Sequence, residues 1–183
     1  MVYASGVTEK NAAMQVAGLM SAAARTAPKS CGVDAIETLI LDGEDKNRLT
    51  AAMREIGSAA GKPYYARDAG NIDDCHCIVI IGVNADPRGW ASPWSLDCGL
   101  CGAGSCGTAS KQGDLCAMAT TDLGIAIGSA AAVAMDHRID NRVLYTAGTA
   151  AMKLKLFPGN VKICFGIGLA TAGKNIFFDR PAG

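Results

Sequence analysis

The chain has 183 residues, which is typical of one domain and enough to bury a hydrophobic core without disulfides or a metal. Hydrophobic residues make up 50% of the sequence but aromatic residues only 5%, so we expect small side chains and close packing of the backbone in the core. The 17 basic and 17 acidic residues cancel to a formal net charge of zero, and this balance argues against the clustered basic surface that binds nucleic acids. We therefore expect no nucleic-acid partner.

The N-terminal residues and the apolar stretches bear on where the protein resides. Residues 1–6 lack the basic and apolar regions of a secretory signal. The longest apolar stretch, residues 123–135, is rich in Ala and Gly and about 13 residues long, whereas a helix that crosses a membrane needs roughly 20. We expect this stretch to be a buried helix, and the protein to be cytoplasmic with no membrane partner.

The predicted elements alternate between helices and strands along the chain. Thr8 is the expected N-cap of the first helix, and the continuous apolar run at residues 77–83 is typical of a central strand that is covered on both faces. The order predicts an α/β (α+β) layer fold in one domain that spans residues 1–183. Apolar periodicity predicts helices over residues 8–27, 44–60, 119–136 and 143–155, and short apolar runs predict strands over residues 35–41, 77–83 and 161–169.

Residues 84–117 differ in composition from the rest of the chain, and we call them the Cys-rich segment. They contain four cysteines, several glycines, Pro87 and Pro93, and they show neither helical nor strand periodicity. A loop of this length in a compact domain is usually functional or is held in place by another group. We therefore expect an insertion that is organised around a bound centre.

The four cysteines of this segment have a spacing that suits one metal centre. Cys98 and Cys101 form a C-x₂-C pair, and Cys106 and Cys116 follow as spaced single residues. Four thiolates suit tetrahedral zinc or an iron–sulfur cluster, and the glycines between them permit a left-handed backbone beside an inorganic core. Zinc sites often use two C-x₂-C pairs, so one pair favours a cluster, with zinc and structural or disulfide-forming thiols as the alternatives. The remaining cysteines that we expect to be small buried hydrophobic residues are Cys75, Cys77 and Cys164.

Two stretches resemble the nitroreductase superfamily. Residues 22–30, which read Ala-Ala-Ala-Arg-Thr-Ala-Pro-Lys-Ser, and the strand after them resemble the helix, Ala-Pro-Ser, turn and strand that approach the flavin in that family. Residues 122–130 and the strand at 163–168 resemble its long central helix and its last core strand. The resemblance implies a nitroreductase-like three-layer fold, with a central mixed sheet flanked by helices and the Cys-rich segment as an insertion. It also implies a homodimer that binds FMN.

The same resemblance implies which residues would hold the FMN. Arg25, Lys29 and Ser30 occupy the turn that would face the flavin, and Lys174 and Arg180 of the basic tail would contact its phosphate. Near the N-terminus, the Arg-Ser-x-Arg element of the family is replaced by Val-Tyr-Ala-Ser-Gly. Other cations must therefore bind the phosphate, because it needs charge-assisted donors.

The sequence DCGLCGAGSC resembles a narrower family of proteins described as containing a ferredoxin domain, which implies an iron–sulfur cluster. The leading hypothesis is an FMN-dependent oxidoreductase with an iron–sulfur or zinc Cys₄ centre, which would transfer electrons to a substrate and have an electron-transfer partner. One alternative is a metal-binding or redox-sensing module without enzymatic activity. Another is a zinc-stapled subunit of a larger complex.

Overall fold

A computed structural model describes residues 1–85, 98–100, 102–105, 107–108 and 115–178. The described chain forms helices and strands in an order close to the predicted one. The helices are α1 (Ser5–Thr26), α2 (Gly43–Ala60), α3 (Tyr64–Asp73), α4 (Ala117–Asp136) and α5 (Tyr145–Lys153). The strands are β1 (Ile36–Leu41), β2 (Cys77–Asn84), β3 (Asp140–Leu144) and β4 (Val161–Ala170).

The strands form one sheet in the order β1-β2-β4-β3. The resemblance implied a mixed sheet, and the described strands differ in this detail because all three pairings are antiparallel. The reason is visible between β1 and β2, where two helices, α2 and α3, return the chain to the end of the sheet at which β1 stopped. A single crossover helix would instead have produced a parallel pair.

The two ends of the sheet have different neighbours, and we name them accordingly. At the turn end, β1 begins after the loop that follows α1, and the Asn84 N–H donates to the Ala35 carbonyl at 2.8 Å. At the tail end, β4 stops at Ala170, which pairs with Asp140 at the start of β3. The helix α1 therefore runs from the tail end to the turn end, and α4 runs back toward the tail end.

Helices cover both faces of the sheet, which confirms the expected three-layer α+β fold. Strand β2 shows this directly, because Val79 and Ile81 join a buried cluster with α1 and α4, whereas Ile78 and Ile80 join a second cluster with α2, α3 and α5. All four side chains are fully buried. The expectation of a central strand covered on both faces is therefore confirmed.

Small residues let the backbones approach closely in this core, as the composition predicts. A Cβ atom built on Gly148 of α5 would lie 1.8 Å from the Cys164 carbonyl oxygen of β4. A Cβ atom on Gly166 would lie 2.7 Å from the Ala147 Cβ atom. The helix α5 thus lies directly against the backbone of β4, without side chains between them.

One local prediction is wrong, and two elements of the structure were not predicted. Thr8 is not the N-cap of α1, because the helix begins at Ser5 and the Thr8 hydroxyl donates to the Ser5 carbonyl at 2.8 Å. Helix α3 was not predicted, since few of its residues are apolar and only Tyr65, Ala69 and Ile72 among them are buried. Strand β3 was not predicted either, because its five residues, DNRVL, show no alternation.

Helix α4 is, among the described residues, the one helix long and apolar enough to cross a membrane. Core helices of other proteins pass the same test. Here α4 contributes Leu123, Ala126 and Ala130 to the buried cluster with α1 and the sheet. This packing agrees with the prediction of a core helix at residues 119–136.

The three cysteines expected to be buried are indeed in the core. Cys75, Cys77 and Cys164 are each less than 5% exposed. Burial raises the pKa of each of these thiols to about 12. They are therefore neutral, unreactive packing residues at physiological pH.

Candidate functional site

The turn between α1 and β1 carries the predicted flavin-facing residues, and its lysine donates hydrogen bonds to backbone carbonyls nearby in the chain. The Lys29 ammonium donates to the carbonyl oxygens of Ala24 at 3.2 Å and Ala27 at 2.8 Å, and to that of Arg25. Its side chain is only 6% exposed. Because the last carbonyls of a helix lack intrahelical partners, Lys29 acts as a side-chain cap for α1.

The arginine of the turn also has a partner. The Arg25 guanidinium forms an ion pair with Asp34, and its side chain remains 48% exposed. Partial burial acts to raise the pKa of Asp34, but hydrogen bonds from Arg25 and from the Ile36 N–H outweigh it, so that the pKa is lowered overall. The ion pair closes the turn across residues 25–34.

Ser30 connects the turn to α4 through a buried carboxylate. Its N–H lies 3.0 Å and 3.1 Å from the two carboxylate oxygens of Asp122, and its hydroxyl donates to the same carboxylate at 2.9 Å. Asp122 is 1% exposed. These hydrogen bonds thus connect the two stretches that resemble nitroreductases. We did not single out Asp122, although it is the only charged residue of α4 before Asp136.

The predicted phosphate contacts lie far from this turn. Lys174 is exposed and follows β4 at the tail end, and Arg180 lies outside the described residues. Strand β2 joins the two ends with eight residues, which corresponds to roughly 26 Å at about 3.3 Å per residue. Within one chain, the structure therefore does not bring Lys174 together with Arg25, Lys29 and Ser30.

A cavity of about 430 Å³ opens at the tail end, and we call it the tail-end cavity. Arg138 is one of its lining residues, and its φ of 58° is a left-handed conformation that is uncommon for residues other than glycine. Sequence reasoning missed Arg138, because nothing in the residues around it predicts the conformation or the cavity. The other lining residues are Glu9, Asp140, Ala170, Thr171, Ala172 and Gly173.

Two of the four predicted metal ligands are described, and the other two, Cys101 and Cys106, lie outside the described residues. Cys98 is exposed, and Cys116 is half-buried at the N-cap position of α4. No group of three or more metal-binding side chains occurs in the described part of the chain, which holds only half of this set. The Cys₄ centre accordingly stays a prediction.

The backbone of the Cys-rich segment has the conformation that its glycines permit. Gly99, Gly102 and Gly104 have φ values of 72°, 68° and 74°. Apart from the adjacent residues, no atom of the described part of the chain lies within 4 Å of a Cβ atom built on any of them, and their positive φ values by themselves favour glycine. One detail differs from the prediction, because Thr108 lies in a helical turn, where its N–H donates to the Ser105 hydroxyl at 3.1 Å.

Comparison with known proteins identifies a related sequence and a matching family. A protein of Archaeoglobus fulgidus, named "Uncharacterized protein", is 36% identical over 180 residues, which are 93% of this chain and 94% of that protein. The sequence model of the family described as "Uncharacterized protein containing a ferredoxin domain (DUF2148)" matches residues 112–180. The chain belongs to this ferredoxin-domain family. The matched residues include Cys116 and α4 through β4, but not the C-x₂-C pair.

Solved structures similar to this member of the ferredoxin-domain family include nitroreductases. A nitroreductase of Desulfitobacterium hafniense with bound FMN has a TM-score of 0.60 at 14% identity, covering 87% of this chain and 78% of that one. A putative nitroreductase of Desulfovibrio desulfuricans in complex with FMN has a TM-score of 0.57 at 13% identity, covering 92% and 79%. The ferredoxin-domain protein therefore has the nitroreductase-like fold.

Proposed function

We propose that this protein is a flavin-dependent oxidoreductase, in which residues 1–183 form one nitroreductase-like domain with an iron–sulfur centre in the inserted Cys-rich segment. The observation that carries the proposal is the match of nearly the whole fold to proteins that bind FMN. Bound FMN would supply hydride or single-electron chemistry, and the protein would supply its position and surroundings. A partner protein would deliver or accept the electrons.

The turn end supports a role in shaping a flavin site rather than in binding the phosphate. Lys29 and Ser30 are held by α1 and Asp122, so the backbone of the turn is fixed in place. Arg25 keeps about half of its side chain exposed although it pairs with Asp34. Of the three predicted residues, Arg25 is accordingly the one whose side chain can still reach a ligand.

A homodimer would unite the two ends of the sheet. Exposed apolar side chains lie on α1 and α4, with Leu19 at 48%, Ile125 at 40% and Met135 at 67%. Between residues 117 and 135 the only charged residue of α4 is the buried Asp122. An uncharged helical face of this length favours a second copy of the chain as its partner, in an interface of more than about 2,000 Å² in total. The turn end of one copy would then complete the site at the tail end of the other.

The conformation of the Cys-rich segment supports an inorganic centre. Three left-handed glycines lie within six residues, and left-handed residues are a component of the backbone concavities that hold anions and iron–sulfur clusters. Cys98 precedes these glycines, and Cys116 is fixed by the start of α4. The positions of Cys98 and Cys116 suit a set of four metal ligands that would also include Cys101 and Cys106.

A second candidate is a metal-binding or redox-sensing module that lacks flavin. It is favoured by the turn end, where the polar side chains of Arg25, Lys29 and Ser30 all have partners within the chain. In this case the nitroreductase-like fold would serve as a scaffold for the Cys₄ centre alone.

The test is purification of the full-length chain without oxygen, followed by a visible spectrum and by iron, zinc and flavin analysis. Resolved flavin bands with a broad brown absorption support the leading proposal. Brown absorption alone supports the second candidate, and zinc without absorption overturns the iron–sulfur assignment.

Cys98→Ser and Cys116→Ser should each lose the metal, whereas Cys164→Ser should retain it. Light scattering at micromolar concentration tests the dimer, which a monodisperse monomer would exclude.

A further inference from the structure

A surface on the face of the sheet opposite α1 carries more basic residues than its carboxylates can pair with. It lies where α2 meets α3 and where α5 leads into β4. The described carboxylates there are both engaged, because Glu55 pairs with Lys153 and Asp68 pairs with Arg67. Three further lysines are exposed, and their side chains form no hydrogen bond or ion pair with any described residue. They are Lys62, Lys155 and Lys162, and we call the region around them the α5 surface.

Two cavities open on the α5 surface, and Met152 lines both of them. One has a volume of about 290 Å³ and includes Lys155 and Phe157, and the other has a volume of about 310 Å³ and includes Lys162 and Tyr145. No described carboxylate lines either cavity, whereas two carboxylates line the tail-end cavity. Apolar pockets of this kind receive the anchor side chains of a partner protein, and charges around them meet its polar rim.

The α5 surface adjoins one end of the Cys-rich segment. The Ala85 N–H, where the chain leaves β2, donates to the Asn160 carbonyl at 2.9 Å, and Asn160 is two residues before Lys162. The segment ends at Cys116, which precedes α4 at the same end of the sheet but on its other face. A protein that docks on the α5 surface therefore lies beside the segment in which an iron–sulfur centre is proposed.

We propose that the α5 surface is the docking site of an acidic electron-carrier protein. This inference rests on the proposed oxidoreductase function, and it names the surface and the charge of the electron-transfer partner. The three lysines belong to the α2–α3 connection, the α5–β4 connection and β4, and each cavity includes one of them at most. A small anion in one cavity would meet a single exposed ammonium, whereas an acidic protein surface could approach all three. Electron-transfer complexes are small, and complementary charge guides their association.

The other described carboxylates of the turn end do not offset these lysines. Asp34 pairs with Arg25 in the turn after α1, and Asp122 is buried in α4. Glu37 is partly buried on β1, and β2 separates that strand from β4. The α5 surface therefore keeps a net positive charge that can attract an acidic partner from a distance.

The test measures how fast a fluorescently labelled acidic ferredoxin associates with the full-length protein at several salt concentrations. Lys155→Glu and Lys162→Glu should each lower the association rate constant about tenfold at low salt and weaken its dependence on salt, because ions screen the attraction between charged surfaces. Lys10→Glu is the matched control, since it reverses the charge of a 51% exposed lysine at the tail end. It should change the association rate constant by less than about twofold. A basic cytochrome c is the control probe and should not bind.

A second variant tests the two cavities. Met152→Gln keeps the length of the side chain but places a polar amide where an apolar anchor of the partner would pack. It should raise the dissociation rate constant of ferredoxin about tenfold and leave the association rate constant unchanged. Circular dichroism during heating checks that the variant is folded, and an unchanged dissociation rate constant in a folded variant would overturn the inference.

The remaining outcomes separate this inference from the proposed function. Equal association rate constants in the lysine variants and in Lys10→Glu would overturn the inference, as would binding of cytochrome c with the affinity of ferredoxin. Displacement of ferredoxin by millimolar pyrophosphate at constant ionic strength would reveal a small-anion site and would also overturn it. If a protein that contains flavin and iron does not bind ferredoxin at low salt, the inference fails alone. The proposed function fails separately, when the purified protein contains neither flavin nor iron.

Discussion

The turn end and the tail end of the sheet both carry basic residues, but they use them differently. At the turn end, Lys29 caps α1 and Arg25 pairs with Asp34, so both cations stabilise the fold. At the tail end, Arg138 lines a cavity, and its side chain has no hydrogen-bond or ion-pair partner among the residues that the structure describes. Basic residues beside a predicted ligand site therefore differ in the partners that they have within the fold, and their place in the sequence does not reveal this difference.

The largest expected effect at the turn end follows the loss of the buried carboxylate. Asp122→Ala leaves the Ser30 N–H and hydroxyl without an acceptor and should lower the free energy of unfolding by about 3 kcal/mol. Urea unfolding measures this change. Asp136→Ala, at the exposed end of the same helix, is the control and should change stability by less than about 0.5 kcal/mol. Equal losses in the two variants would contradict the role given to Asp122.

Removal of the helix cap should have the next largest effect. Lys29→Met keeps the length of the side chain but leaves the Ala24 and Ala27 carbonyls without their donor, so we expect a loss of about 2 kcal/mol. The exposed Lys62→Met is the control. If Lys29→Met unfolds at the same urea concentration as the unsubstituted protein, the ammonium does not cap α1 and is available to a ligand.

The tail end should respond in the opposite direction. Arg138→Gly relieves a left-handed backbone and should raise the free energy of unfolding by about 1 kcal/mol. The same substitution at Arg48, within α2, should lower it by about 1 kcal/mol, because glycine is unfavourable inside a helix. Thermal unfolding of the two variants gives the sign directly. A loss of stability in Arg138→Gly would show that the arginine is a structural residue, as at the turn end.

The smallest expected effect is the part of the pH dependence of stability that Asp34 causes. The pKa of Asp34 is lowered in the folded protein, so its ion pair stabilises the fold above the ordinary carboxyl pKa of about 3.9 and this contribution is lost as the pH falls through the lower folded value. The side chain is 35% exposed, so solvent limits the effect to less than about 1 kcal/mol. Asp34→Asn should flatten the acid limb of the stability curve relative to that of the unsubstituted protein. Parallel curves for the two proteins would contradict this.

Sequence reasoning predicted the fold well because the core is organised by periodicity. The apolar run of β2 and the spacing in α1 and α4 directly reflect which residues are buried. Helix α3 escaped prediction because it is short and anchored by few residues, among them Tyr65, whose hydroxyl is 3.0 Å from the Thr149 hydroxyl of α5. Such a contact between distant residues leaves no periodic signal.

The candidate site was less predictable because partners decide what a side chain does. Lys29 binds backbone carbonyls, which every sequence provides, and Ser30 binds a carboxylate 92 residues away. Arg138 was overlooked since its conformation and its cavity arise only when α4, β3 and the end of β4 meet. The left-handed glycines of the Cys-rich segment were predictable, because composition alone restricts which residues adopt that conformation.

The antiparallel pairing of the strands also has a consequence for how the chain folds. Strands β1 and β2 pair within residues 36–84, and β3 and β4 pair within residues 140–170, so each pair forms from a local stretch of chain. The pairing of β2 with β4 must instead close the long connection that contains the Cys-rich segment. The entropy lost in closing a loop grows with its length, and such long-range pairing slows folding. Any ion that gathers the cysteines would shorten this connection, and the two halves of the sheet would then meet faster.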